Sequence, residues 1–432
     1  MTSAETTAPF QVAIIGGGLC GLSLAIALQK RSIPFQVYET RGSFTELGAG
    51  INIGPNTLRT LQLIDPSLGQ ALEQIWCRNP PGREDVWMQV RLGAPDGQYE
   101  DAKLLTNLMA PPTGNVTMQR NALLQLLAER AGLEHAVFNK KIVSYCQSDE
   151  GVVMSFADGS EETASVVIAC DGIHSAVRKA MLEPENPITG PQYAGTGAYR
   201  SLLSVEDLTA AIGSDMACTS QVFLGPRAYV IMYPIDHGKK VNVGLWPLRP
   251  EPWENQHDWV LPAQRDAMQQ RFVSWGATIH KIMDLMGNPA FLAAHHHAQN
   301  PDSYFDGRVC LLGDAAHAMT PHQGSGAGQA IEDAYVMAEV LRCVDAHKSV
   351  SEQVQAAFTG YESIRKPRSE KVLQTSHEAM SWWTGLYEEP LTDERLQKLV
   401  KEAEQRFHWI WHDDVAAQAE LAVGIMKRKL QR

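Results

Sequence analysis

The chain has 432 residues, 44% of them hydrophobic and 20% charged, which leaves room for two to three domains at about 100–200 residues each. Its 37 basic and 49 acidic residues give a formal net charge of −12, a balance poorly suited to nucleic-acid backbones or anionic membranes. Gly at 34 and Pro at 23 exclude collagen-like and low-complexity classes.

No run of about 18 uncharged apolar residues occurs, so no membrane-spanning helix is expected. The start, Met1–Phe10, has neither the basic nor the apolar region of a secretory signal. Seven cysteines are scattered without C-x-x-C or zinc spacing. A cytoplasmic protein with reduced thiols is expected.

In chain order, Gln11–Ile15 reads as a short apolar strand, Leu22–Arg31 as a helix and Phe35–Glu39 as a second strand, a βαβ unit. Arg120–Gly132 reads as a helix with Leu123, Leu126 and Leu127 on one face. Gly151–Phe156 and Ser165–Cys170 are β-rich runs flanking a turn signal, Asp158-Gly159. From about 180 to 300 the character changes to short β-rich runs, among them Gln221–Leu224, Tyr229–Tyr233 and Val241–Trp246. A separate mixed or antiparallel sheet is expected there. Arg308–Leu312 is again a buried-strand run. A glycine-rich stretch, Gly324–Gly328, opens a helical pattern to about Val344, and the chain beyond about 370 reads helical.

Between the first strand and helix stands Gly16-Gly17-Gly18-Leu19-Cys20-Gly21, a G-x-G-x-x-G. Gly16 permits the tight turn, Gly18 lets a pyrophosphate approach the backbone, and Gly21 lets helix and strand pack closely. The positive end of the helix dipole then faces the phosphates. Glu39 closes the second strand 18 residues after Gly21. A carboxylate there accepts from a ribose 2′-OH and repels a 2′-phosphate. The nucleotide is therefore FAD or NAD, not NADP. A second G-x-G-x-x-G does not follow, which argues against two-nucleotide-domain disulfide reductases.

Two later segments decide between the nucleotides by resemblance. Asp171-Gly172-Ile173-His174-Ser175-Ala176-Val177-Arg178 resembles the D-G stretch of single-component aromatic flavoprotein monooxygenases. Arg308-Val309-Cys310-Leu311-Leu312-Gly313-Asp314-Ala315-Ala316-His317-Ala318 resembles their G-D segment. The resemblance implies FAD, with Asp314 bonded to its ribitol. Asp171 would lie near the pyrophosphate, in a segment serving both FAD and the nicotinamide cofactor. The run Pro321–Gln329 would sit beside the isoalloxazine, with backbone N–H groups at Gly326 and Ala327 facing the reduced flavin. Gly48–Asn56, including Gly50, matches the loop along the flavin, and Arg120 the arginine at the FAD phosphate and ribose. The nearest subgroup is salicylate-hydroxylase-like, including fungal phenol hydroxylases and dearomatising monooxygenases. Ala169-Cys170 departs from the Gly-Ala of relatives, which bears on local packing.

The resemblance implies an α/β, Rossmann-like FAD-binding domain at 1–180, with insertions, returning at 301–370. Its core segments are roughly 1–75, 100–180 and 300–370. A β-sheet substrate-binding domain is expected at 181–300 and a helical segment at 371–432. The implied activity is hydroxylation of a phenol, with or without dearomatisation, by a C4a-hydroperoxyflavin formed from O₂ after reduction by NADPH or NADH. The alternatives are a flavin epoxidase or oxidase on a non-aromatic substrate and a non-catalytic FAD-binding regulatory module. A small phenol and O₂ are the expected partners, with no nucleic acid and no membrane, for a monomer or homodimer.

Within the inserted sheet, alternation puts Tyr229, Ile231 and Tyr233 on one face. Arg200 is a permanent cation suited to a phenolate or carboxylate, and Tyr233 is placed to donate to the same oxygen. The pair resembles the Arg/Tyr pair of fungal dearomatising members, which points to a phenolate of secondary metabolism. His322 is a candidate for direct proton transfer. His317 reads as a satisfied local histidine. His295-His296-His297 resembles a metal site only superficially, since consecutive strand residues face opposite ways. Trp382-Trp383 reads as core or dimer packing.

Overall fold

The computed structural model describes residues 10–45, 50–182, 186, 188–253, 258–345 and 348–431. Gly48 and Ala49 of the expected flavin loop lie outside them.

The fold grows from the apolar strand Val12–Ile15, buried at all four positions. Phe35–Tyr38 and Val166–Ala169 flank it in parallel, Val12 opposite both Phe35 and Val166. Val309–Leu311 extends this sheet in parallel beyond Val166–Ala169. Six strands result, with Phe305–Asp306 and Ala136–Val137 at the edges. Strands of this kind are covered on both faces, which is why they read as unbroken apolar runs. The helix Leu19–Gln29 lies on the sheet and packs against the helices Arg120–Ala131 and Gly326–Leu341. In the Arg120 helix the deeply buried leucines are Leu123, Leu124 and Leu127, while Leu126 is only partly covered.

The turn at Asp158-Gly159 joins a different pair of strands from the one expected. It links Val152–Phe156 to Glu161–Ala164, with Ile142–Gln147 completing a three-stranded antiparallel sheet. Val166–Ala169 belongs to the parallel sheet instead. The two runs separate by burial: Glu161, Glu162 and Thr163 are exposed, whereas Val166–Ala169 is wholly buried.

The second large sheet has eight strands. Its order is Val260–Leu261, Ala290–His296, Gln192–Ser204, Lys240–Pro247, Ala228–Ile235, Gln221–Gly225, Val86–Leu92 and Leu104–Met109. It is therefore wider than the expected 181–300. Val86–Leu92 joins it in parallel beside Gln221–Gly225, with Gln89 opposite Gln221. Residues 104–109, placed by sequence with the nucleotide-binding part, form its edge. All seven residues of Val86–Leu92 are buried, so no alternation marks the strand. Its partner lies some 130 residues away. One face of this sheet carries Ala198, Val222, Leu224, Tyr229 and Trp246. The opposite face, with Tyr199, Phe223, Val230, Met232, Val243 and Leu245, packs with residues of the helices Val205–Ile212 and Ala277–Met286.

The expected boundary at 370/371 falls inside one helix, Val350–Thr384, which runs 35 residues through Pro367. Buried Arg365, Arg368 and Ser369 anchor it on both sides of the proline. The helices Asp393–Trp411 and Val415–Leu430 follow. Val415–Leu430 packs on both Val350–Thr384 and Gly326–Leu341, so the C-terminal helices are part of the core. All seven cysteines are free. Among the described residues no helix is long and apolar enough to cross a membrane.

Candidate active site

A cavity of about 490 Å³ lies between the parallel sheet and the eight-stranded sheet. One end is lined by the glycine turn and the other by the sheet face that carries Tyr229 and Trp246.

At the first end, Gly16 has φ +101°, and a side chain there would strike the carbonyl of Cys170 at 2.5 Å. A Cβ on Gly21 would lie 2.0 Å from the carbonyl oxygen of Gly16. These two glycines shape the turn, and Gly18 opens on the cavity. Glu39 Oε2 accepts from the Gly17 N–H at 2.7 Å, and Oε1 from the Arg41 N–H at 2.8 Å. The carboxylate thus sits beside the turn, where a ribose would lie. Neither the helix starting at Leu19 nor the one starting at Gly326 has a side-chain cap, so both expose N–H groups and the positive end of a dipole. Gly50, Arg120, Asp314, Gly326 and Ala327 line the same cavity. Two uncapped helix starts, a carboxylate at the second strand and an elongated cleft between them fit an FAD.

The Asp171 segment, expected near the pyrophosphate, borders the cavity through Cys170 and Gly172. Asp171 Oδ2 accepts from the N–H groups of Ala176 at 2.8 Å and Val177 at 3.3 Å. The Asp171 carboxylate thus caps the short helix behind the cavity. Burial pushes its pKa up.

Beneath the cofactor end lies a buried ion network that sequence reading did not single out. Arg365 donates from Nε to Asp333 Oδ1 at 2.7 Å and from Nη1 to Glu332 Oε2 at 2.8 Å. Arg368 Nε also reaches Glu332 Oε2 at 2.7 Å. Asp333 Oδ2 accepts from the Gly313 N–H at 3.1 Å and pairs with His317 Nε2 at 2.6 Å. Glu332 Oε1 accepts from Asn56 Nδ2 at 2.7 Å, and Arg365 Nη2 donates to Gln329 Oε1 at 2.9 Å. One cluster therefore ties down the Gly313-Asp314 turn, the segment after Gly50–Ile53 and the Gly326 helix. The arginines and His317 hold Glu332 and Asp333 down to about 2 against their burial.

At the other end the register of the sheet sets the floor. Arg200 stands opposite Gly244, which stands opposite Ile231. On one side Asn242 faces Tyr233, and on the other Trp246 faces Tyr229. The two tyrosines are four residues apart, about 13 Å along the strand, with Arg200 in the row between them. The Arg200 guanidinium lies over the Trp246 ring, 5.2 Å from its centroid. Among the described residues no carboxylate pairs with it. Burial raises the pKa of the Tyr233 phenol, while the charges of Arg200 and Arg120 and the neighbouring Asn242 amide oppose the rise. Tyr229 Oη lies 2.8 Å from His322 Nδ1. Burial and the neighbouring imidazoles of His377 and His296 push His322 down to about 3, so it is neutral at pH 7. The remaining lining is largely apolar: Trp87, Met88, Val222, Met319, Trp383 and Phe407.

The structure thus brings Arg200, Tyr233 and His322 into one cavity. Sequence reading missed Asn242 and the pairing of Tyr229 with His322. The alternation that put Tyr229 on the face of Tyr233 was the available signal. Trp383 was read as packing, yet it lines the cavity and donates from Nε1 to the His322 carbonyl at 3.1 Å. His317 is satisfied at one nitrogen only: Nε2 pairs with Asp333, while Nδ1 is buried without a partner among the described residues. His295 stacks on Trp259 at 3.7 Å and His296 on His377 at 5.6 Å. Among the described residues no group of three or more metal-ligating side chains converges.

Residues 9–376 match the FAD binding domain family. The chain belongs to this FAD-binding family. It is 34% identical to 6-methylsalicylate 1-monooxygenase of Aspergillus terreus, over 96% of this chain and 92% of that protein. It is 33% identical to a salicylate hydroxylase of Pseudomonas putida, over 96% of this chain and 95% of that one. A solved salicylate hydroxylase substrate complex superposes with a TM-score of 0.84 at 33% identity, covering 96% of this chain and 98% of that one. Within the family this chain is thus salicylate-hydroxylase-like.

Proposed function

We propose that this protein is an FAD-dependent monooxygenase that hydroxylates a phenolic aromatic compound, with NADH or NADPH as reductant and O₂ as co-substrate. The observation that carries the reading is Arg200, a guanidinium with no carboxylate partner among the described residues, on the aromatic floor of a cavity continuous with the dinucleotide cradle. The full-length similarity to salicylate hydroxylase and 6-methylsalicylate 1-monooxygenase supports it.

Bound FAD supplies an electrophilic oxygen drawn from O₂. The protein does the rest. Gly16, Gly18, Gly21, Glu39 and Asp314 shape and hold the nucleotide site, with Gly50 and Arg120 alongside. The N–H groups at Gly326 and Ala327 stabilise negative charge beside them. Arg200 binds the substrate oxygen as a phenolate, the form richer in electrons and therefore more nucleophilic. Tyr233, opposite Asn242 in the strand register, donates to the same oxygen. The aromatic side chains Trp87, Trp246, Trp383 and Phe407 stack on the substrate ring and exclude water. This lining favours an aromatic substrate over the non-aromatic alternative.

The test is direct. Purified protein is expected to be yellow, and its NAD(P)H oxidation to accelerate when a phenol such as salicylate is added, with a hydroxylated product by mass spectrometry. A colourless protein, or one indifferent to every phenol tried, refutes the reading.

A further inference from the structure

The Tyr229 end of the cavity is closed by side chains from the last part of the chain. Trp383 of the helix Val350–Thr384 and Phe407 of the helix Asp393–Trp411 both line it. Both lie beyond residue 376, the end of the match to the FAD binding domain family. Their rings continue the aromatic floor: the Trp383 centroid is 6.0 Å from that of Tyr229, and Phe407 is 6.3 Å from Trp383. Trp411 carries the arc on, 5.2 Å from Phe407 and 5.0 Å from Trp87 of the sheet. Each ring is braced from behind. Trp411 stacks on Phe407 with 18° between planes, and it fills the space over Gly54, where even a Cβ would come within 2.8 Å of the indole. The last turn of its helix is pinned at two carbonyls, Arg59 donating to that of Trp411 at 2.5 Å and Arg368 to that of Ile410 at 3.1 Å. Trp383 is held by its bond to the His322 carbonyl and by the edge of Trp382, centroids 4.5 Å apart. Phe407, Trp411, Trp383 and Trp87 are all buried.

We propose that Phe407 and Trp383 are specificity-determining residues that limit the substrate to a single-ring phenol; this rests on the reading of the cavity as a phenol site. Arg200, which holds the substrate oxygen, stands level with Ile231 across Gly244. Tyr229 lies two residues farther along that strand, about 7 Å. That span takes one aromatic ring with a small substituent. A second fused ring pointing the same way meets Trp383 and Phe407. Trp411, Gly54 and Trp382 stand behind these two rings, so admitting the larger ligand means displacing side chains packed at the density of a protein interior. The wall is uncharged, so it selects by shape, whereas Arg200 selects by charge. Shortening Phe407 leaves Trp411 and the pinned helix end in place and opens space on the substrate side.

The test titrates oxidised holoenzyme with salicylate, 1-hydroxy-2-naphthoate and 3-hydroxy-2-naphthoate and follows the change in flavin absorbance. The naphthoates keep the hydroxyl and carboxylate of salicylate and add one ring, fused on different edges. The wild type is expected to bind each of them about tenfold or more weakly than salicylate. Phe407→Ala is expected to raise the affinity for at least one naphthoate, relative to salicylate, by about tenfold or more, and Phe407→Leu, gentler on the fold, by less. Trp409→Ala removes a ring of the same helix that faces Lys371, and it is expected to keep the wild-type ratio. A shift there as large as in Phe407→Ala means loosened packing and overturns the proposal. Unchanged ratios in the Phe407 variants that fold overturn it, as does a wild type that binds a naphthoate as tightly as salicylate; in these cases the phenol site stands. A wild type that binds none of the three overturns the phenol site and the size limit together.

Discussion

Replacing Arg365 by Met tests the buried ion network that underlies the cofactor site. The guanidinium is fully buried and donates to Asp333, Glu332, Gln418 and Gln329. Methionine fills most of the volume and donates nothing. Glu332 keeps Arg368 and Asn56, and Asp333 keeps His317 and the Gly313 N–H. Two buried carboxylates are then under-compensated, a loss of about 3–5 kcal/mol when one partner of a buried pair is removed. The measurement is denaturant unfolding of wild type and variant at several pH values. In the wild type both carboxyl pKa values are depressed to about 2. Their stabilisation is therefore complete above the unfolded value near pH 4 and fades as pH falls toward 2. In the variant the carboxyls return upward, so the gap between the two proteins narrows below about pH 4. Flavin affinity is expected to fall as well, because Asp333 fixes the Gly313-Asp314 turn. A variant within about 1 kcal/mol of the wild type at pH 7 refutes the argument, because that is the scale of an exposed pair. So does a gap that stays constant down to pH 3.

Two further expectations concern the ends of the cavity. Arg200→Ala is expected nearly to abolish phenol-dependent NAD(P)H oxidation with flavin content intact, and Tyr233→Phe to slow it less, since one partner of the oxyanion remains; steady-state kinetics of both check this, and wild-type rates in both place the substrate elsewhere. Asp314→Ala is expected to weaken FAD retention by about 1–3 kcal/mol, the cost of leaving a buried hydroxyl without its acceptor. Equilibrium dialysis of the flavin measures it, and unchanged occupancy sinks the assignment of Asp314 to the cofactor.

The nucleotide half was legible in sequence because its determinants are local. Gly16, Gly18, Gly21 and Glu39 fall within one βαβ unit, and a strand buried on both faces shows as an unbroken apolar run. Arg200 and Tyr233 were legible more weakly, through strand alternation and resemblance. What only the tertiary structure decided depends on register and on contacts distant in the chain. Val86–Leu92 finds its partner at Gln221–Gly225, and no periodicity inside a fully buried strand announces that. Gly244 and Ile231 place Arg200 midway between Tyr229 and Tyr233 only once the strands are paired. That Asp171 Oδ2 also accepts from the N–H groups of Ala176 and Val177, at the start of a short helix, was set by the fold and not by its motif. Trp383 and His377 belong to a helix whose pattern predicts helix alone; which of its faces meets the cavity, and that His377 meets His296, is set by the packing of Val350–Thr384 against the loop at 318–323. Sequence encodes the elements and their chemistry, and the pairing of faces fixes which of those chemistries meet.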